Sequence, residues 1–181
     1  MRIEERIPRR VKENLCHVVI ENLDTIRRSL ESIILSNSHT DSASKQVKDQ
    51  MLNVLLENGW LPDIKINKNI SEVYPMANYI LDAMKDIRGK DCPHAHRFFV
   101  EFCFDNRQAI GSNILKFEVA SRAAIEFNLD PIPILICAEQ ETLKHFGWDG
   151  SIASANEYEH ALRVAYMDVV NNPAIILALM K

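Results

Sequence analysis

Along residues 11–34 the apolar positions Val11, Leu15, Val18, Val19, Leu23, Ile26, Leu30, Ile33 and Ile34 recur every three or four residues. That period lays one apolar stripe along an α-helix. The polar run 36–44 (SNSHTDSAS) ends it. A second helix carries Val47, Met51, Val54 and Leu55 on one face, with Gly59 where a left-handed closing residue is wanted. Trp60, Leu61 and Pro62 then lead into a short alternating strand over residues 63–67 (DIKIN). Val73, Met76, Ile80, Met84 and Ile87 share a stripe over residues 71–88, with Pro75 near the first turn and Gly89 beyond the end, which predicts a third long helix.

The pattern changes at residues 97–104 (RFFVEFCF), an aromatic, β-favouring run that predicts a central strand. Asp105 and Gln108 have capping-box spacing ahead of a helix through Ile110, Ile114, Phe117 and Ile125, which stops at Asn128-Leu129-Asp130-Pro131. Residues 132–138 (IPILICA) form a continuous apolar run, as expected of a strand covered on both faces, with Pro133 at its start or at an unpaired site. Gly147-Trp148-Asp149-Gly150 marks a loop. Ser154 and Glu157 open a further helix with Tyr158, Leu162, Ala165 and Val169 inward, and residues 174–180 (AIILALM) form a last buried strand after Asn171-Asn172-Pro173. Strands separated by long helices imply crossover connections. The expected fold is α/β, a mixed and largely parallel central sheet flanked by helices. A single domain over residues 1–181 is expected, with a helical N-terminal region (1–44) and an α/β core (45–181).

A chain of 181 residues with 47% hydrophobic and 25% charged side chains has an ordinary globular composition. It can bury roughly 70% of the surface its unfolded form exposes, so no disulfide or metal staple is needed for stability. Cys16, Cys92, Cys103 and Cys137 lie far apart without a CxxC pair, which favours reduced packing residues over a disulfide framework. A net charge of -4 with a pI near 5.9 argues against nucleic-acid binding by bulk charge and leaves room for a local basic cleft. Residues 1–12 alternate in charge without the apolar run of a signal peptide, and no later stretch approaches the roughly 18 apolar residues of a membrane span. The expected compartment is the cytoplasm. Of five glycines no two lie at phosphate-loop spacing, and neither GxGxxG nor GxxxxGK(S/T) occurs, so no nucleotide cofactor is expected.

Candidate chemistry centres on Glu101. Alternation along the strand points Phe98, Val100, Phe102 and Phe104 one way and Phe99, Glu101 and Cys103 the other. A carboxylate among apolar neighbours needs a metal, a cationic partner or solvent at an open cleft. Arg97 and Arg122 are the candidate partners if Glu101 merely forms an ion pair.

The segment Val100-Glu101-Phe102-Cys103-Phe104, followed by a polar turn, a long helix, a strand and a further helix and strand, resembles the catalytic half of PD-(D/E)XK nucleases. The helix ending in Gly59-Trp60 before a strand is similar to their BamHI/BglII branch of type II restriction endonucleases. The resemblance covers roughly residues 45–180. It implies a restriction-endonuclease-like fold, a homodimer, and Mg²⁺-dependent, sequence-specific cleavage of double-stranded DNA. Glu101 would be the acid of the second motif and a metal ligand. Asp91 would be the first acid and second ligand, with Asp82 and Asp86 as alternatives if they are not simply a solvated helix face. Cys103 would occupy the third position, where the family has Lys, Glu or Gln to place the attacking water. Glu57 or Glu118 could supply a helix acid, although Glu118 is also spaced for an ion pair with Arg122.

Other residues have two readings. Asn106, Arg107, Gln108, Asn113 and Lys116 could meet phosphates or base edges, or serve as caps and solvated positions. Cys92, His94 and His96 have the chemistry of zinc ligands without the spacing of a complete structural set. If the strand already starts there without a bulge, His94 and His96 share the face opposite Glu101. Arg9-Arg10 and Arg27-Arg28 read as surface charge, and Trp148 either stacks on a ligand or folds onto the core. The rival to the nuclease is a non-catalytic binding or regulatory protein acting through protein partners, which the thiol at position 103 favours. A small-molecule enzyme built on His94, His96 or a cysteine is disfavoured because no nucleophile and base share a recognisable setting.

Overall fold

The computed structural model describes residues 1–13, 15–33, 43–66, 80–90, 92, 94–104 and 106–181. The strands are β1 (Arg2–Arg6), β2 (Leu61–Lys65), β3 (Ile80–Ile87), β4 (Ala95–Phe102), β5 (Leu129–Ala138) and β6 (Ile175–Met180). The helices are α1 (Arg9–Lys12), α2 (His17–Glu31), α3 (Ala43–Glu57), α4 (Ala109–Glu126), α5 (Gln140–His145) and α6 (Ala155–His160), the last continued by a π-helical turn, Ala161–Ala165.

Among the described residues, the six strands form one mixed sheet in the order β1-β6-β5-β4-β3-β2. Parallel pairing is confined to its centre: β4 with β5, where Phe98 faces Ile132, and β5 with β6, where Ile134 faces Ile175. The outer pairs are antiparallel, a larger share than the sequence suggested, because β1 and β3 were not visible as strands. The N-terminal region accordingly begins with an edge strand, Ile3 facing Leu179. Its long predicted helix is two helices, α1 and α2.

Two cores form, one on each face of the sheet. On one, Val19, Leu23, Ile26 and Leu30 of α2 and Val47, Met51 and Leu55 of α3 pack on Phe98, Val100, Ile134 and Leu177. On the other, Ile114, Phe117 and Ala124 of α4 and Tyr158 of α6 pack on Phe99, Leu135, Cys137 and Ile176. Strict alternation along β4 and β5 feeds both cores, which is why these strands read as continuous apolar runs. Pro131 and Pro133 are accommodated in β5 because β6 joins it only from Ile134 onward.

The predicted helix over residues 71–88 is overturned where it can be compared. Residues 80–87 are β3, hydrogen-bonded between β2 and β4. Ile80, assigned to the buried helical stripe, is 40% exposed, while Leu81 and Ala83 are buried. A helical period among five apolar residues was outweighed by pairing with β4, whose own pattern leaves its open side in need of a neighbour. Val73, Pro75, Met76, Asn67 and Asp105 lie outside the described residues, as does most of the predicted 36–44 break.

Several local signals hold. Gly59 closes α3 with φ 79° and Asn128 follows α4 with φ 57°. Ser154 and Glu157 form the reciprocal capping box. Beyond α6 the inward stripe slips: Leu162 and Val170 are buried, whereas Val169 is 48% exposed. The π-turn widens the helix and shifts the phase of everything after it.

Candidate functional site

Glu101 is placed by the alternation of β4 on the same face as Phe99 and Cys103, and it is only 3% exposed. Neither candidate arginine reaches it. Arg97 makes two bonds to the carboxylate of Asp86, its cross-strand neighbour, both at 2.7 Å, and Arg122 pairs with Glu118 at 2.9 Å. Instead Lys116 of α4 extends its Nζ to Glu101 Oε1 at 2.5 Å. The other oxygen, Oε2, is buried without a hydrogen-bond partner. A half-satisfied carboxylate in a protein interior is costly unless something else meets it.

The second acid of this site is Asp82. The β3–β4 ladder runs from Ile87 opposite His96 to Ala83 opposite Val100; one step further Asp82 would face Glu101. There the ladder gives way to a side chain, because Asp82 Oδ2 accepts from the backbone N–H of Phe102 at 2.8 Å. Its other oxygen pairs with Lys48 Nζ of α3 at 2.8 Å. Lys48 of α3 and Lys116 of α4 come from the helical layers on opposite faces of the sheet, so two ion pairs flank the parting of β3 and β4 from either side.

Electrostatics follow from that crowding. Burial pushes the Glu101 carboxyl up to about 7, the negative charge of Asp82 adds to the effect, and Lys116 and then Lys48 oppose it. Two acids whose charges repel, one with a bare oxygen, are a hard-oxygen donor pair suited to a divalent cation such as Mg²⁺.

The remaining sequence candidates divide. Cys103 is fully buried against the same core, and burial together with Cys137 holds its thiol well above the ordinary range, hence protonated. Asp91 lies outside the described residues. Asn113 does not face solvent: it is 2% exposed, and its Nδ2 donates to the Tyr158 hydroxyl at 2.9 Å. Lys116 likewise points inward. Asn106, Arg107 and Gln108 are exposed, with Asn106 Oδ1 accepting from the Gln108 N–H at 2.9 Å and Arg107 held by Glu157 and the Gly150 carbonyl. Glu118 is tied to Asn171 and Arg122; although burial pushes its carboxyl upward, those hydrogen bonds keep it below the ordinary range. Glu57 is exposed, and Trp148 folds onto the core edge-on to Phe104 with ring centroids 5.3 Å apart.

Sequence reasoning ranked Asp82 below Asp91 because the predicted helix put it one turn from Asp86. The available signal was the β3 pairing itself, which only a partner strand reveals. On the opposite face, His96 lies 3.1 Å from Cys16 Sγ, and Cys16 Sγ is 2.7 Å from Cys92 Sγ. Cys16 joins this group from the start of α2, where nothing in the sequence connects it to residues 92–96.

No protein-family model matches the chain, and no curated protein matches it in sequence. Among solved structures, the crystal structure of restriction endonuclease BglII complexed with a DNA 16-mer is similar at a TM-score of 0.71 and 16% identity, over 100% of this chain and 79% of that one. The fold is therefore restriction-endonuclease-like. No helix among the described residues is long and apolar enough to cross a membrane.

Proposed function

We propose that the chain is a Mg²⁺-dependent DNA endonuclease of the type II restriction kind, with Asp82 and Glu101 as metal ligands. One observation carries the reading: where the β3–β4 ladder parts, Glu101 Oε2 is buried with no partner and the charge of Asp82, on the neighbouring strand, is felt at Glu101. The likeness to a DNA-bound endonuclease supports DNA as the substrate class; double-stranded DNA and a homodimer as the acting form rest on the sequence resemblance alone. A bound divalent cation would neutralise phosphate charge and supply an activated water for phosphodiester hydrolysis.

The chain's own groups have separable roles. Asp82 is held in place by the Phe102 N–H, leaving it fixed rather than free to swing. Lys116 sits at Glu101 Oε1, where its ammonium can steady both the carboxylate and an incoming phosphate oxygen or water. It thus supplies from α4 the cationic group that the third motif position, Cys103, lacks. Exposed Asn106, Arg107 and Gln108, at the start of α4, are the remaining DNA-contact candidates; Asp91 stays a proposed ligand only through its sequence position. Cytoplasmic location accords with reduced cysteines.

A second reading, a non-catalytic relative acting through protein partners, is favoured by the buried thiol at 103 and by the ion pair that already neutralises Glu101. The two separate in one experiment. Calorimetric titration with Mn²⁺ and Mg²⁺, alongside digestion of long DNA of diverse sequence, should show metal binding and discrete fragments for the natural chain. Glu101→Ala and Asp82→Asn should each weaken metal binding at least tenfold and cut cleavage about a hundredfold or more. Absence of divalent-metal affinity in the natural chain, or full cleavage by Glu101→Ala, overturns the endonuclease.

A further inference from the structure

We propose that Cys16, Cys92 and His96 form a thiolate–imidazole site for a zinc-class divalent metal, clamping the start of α2 to the β3–β4 connection on the face of the sheet opposite Glu101. The three side chains come from separate places in the chain, yet one ligand atom from each lies within 4.8 Å of the other two. Cys16 Sγ is 2.7 Å from Cys92 Sγ and 3.1 Å from His96 Nε2. Sulfur and imidazole nitrogen are the donors zinc prefers, and they differ in kind from the oxygen pair at Asp82 and Glu101.

Two further features fit a metal rather than plain packing. His96 is buried with Nε2 turned to the thiols, while its other nitrogen, Nδ1, has no hydrogen-bond partner. The Asp130 carboxylate stands 3.6 Å from Nδ1, the arrangement by which a carboxylate orients a metal-bound histidine once the ring settles into place. Gly89 lets the connection tuck in: a Cβ there would lie 3.0 Å from Cys92 Sγ and 3.1 Å from Val18. A cavity of about 380 Å³ is bordered by Leu15, Val19, His96 and Asp130. Three protein ligands leave a fourth position for water, or for His94 two residues upstream.

Loading requires the two thiols to lose their protons to solvent, with no change of oxidation state. Thiolates at about 2.3 Å from zinc stand roughly 3.8 Å apart in tetrahedral geometry, so the sulfurs must separate by about an ångström. The rival use of the same pair is a Cys16–Cys92 disulfide, which would leave the buried imidazole without a function.

Cobalt(II) is the probe. Added to the reduced full-length chain, one equivalent should produce the near-ultraviolet sulfur-to-cobalt charge-transfer band and the visible bands of a tetrahedral site, both erased by Zn²⁺ and unaffected by excess Mg²⁺. Cys92→Ser and His96→Ala should each weaken Co²⁺ binding at least tenfold, with circular dichroism reporting whether each variant is folded. The natural chain's spectrum decides the matter even if a variant fails to fold. A natural chain without the charge-transfer band, or one isolated two hydrogens lighter with Cys16 joined to Cys92 and unable to take up cobalt, overturns the proposal. None of these readouts depends on DNA cleavage.

Discussion

Glu101 owes its character to what surrounds it: an ammonium on one oxygen, nothing on the other, and the charge of Asp82 nearby. Its folded-state carboxyl titrates near 7 rather than the ordinary 4.5. Because the folded protein holds that proton more tightly than the unfolded chain, the stability it contributes is fully present below about pH 4.5 and is lost as pH rises through about 7. Glu101→Gln should flatten the stability profile over that window and raise stability at pH 8 by about 1–3 kcal/mol, read from urea melts across pH. Asp82→Asn should move the Glu101 titration down toward the ordinary carboxylate range, since it removes a repelling charge; carbon-detected NMR of the carboxyl follows this directly. If Mg²⁺ binds here, its affinity should rise as pH passes about 7, because a proton must leave Glu101 first. The acidity of the site was legible at Glu101, whose place between Phe99 and Cys103 on one strand face demands a partner. Lys116 was legible only as a polar helix position, because the pairing spans a strand and a helix joined by the chain's next turn.

At the scale of elements, local rules decide ends better than interiors. The Ser154 box satisfies its helix reciprocally, with Ser154 N–H donating to Glu157 Oε2 at 2.8 Å. Ser154→Ala should cost about 1 kcal/mol by removing the cap, measured as a lowered midpoint in urea. Gly59 has φ 79° and open space where a Cβ would lie, so Gly59→Ala should cost about 1 kcal/mol through backbone strain alone. These signals are written within four or five residues and so were readable. The identity of β3 was not, because the period of Met84 and Ile87 is compatible with a helix until β4 offers it a ladder. The phase slip after the π-turn had no sequence mark either.

For the whole molecule, β5 is the keel: Ile132, Ile134 and Ile136 enter one core, Leu135 and Cys137 the other. Ile134→Ala and Leu135→Ala should each cost about 2–5 kcal/mol, one loosening the α2–α3 layer and the other the α4–α6 layer. Hydrogen exchange should show each loss weighted to its own face. The sequence by itself determined the α/β class, the central strands β4, β5 and β6, the bulk of helices α2, α3 and α4, the ends at Gly59, Asn128 and Ser154, and the oddity of an acid at position 101, since each follows from periodicity, from local turn chemistry or from the cost of burying charge. Only the tertiary structure decided that residues 80–87 are a strand, that Asp82 stands beside Glu101, and that Cys16 meets Cys92 and His96. Those facts depend on which strand hydrogen-bonds to which and in what register, a long-range choice that no local window of side chains encodes.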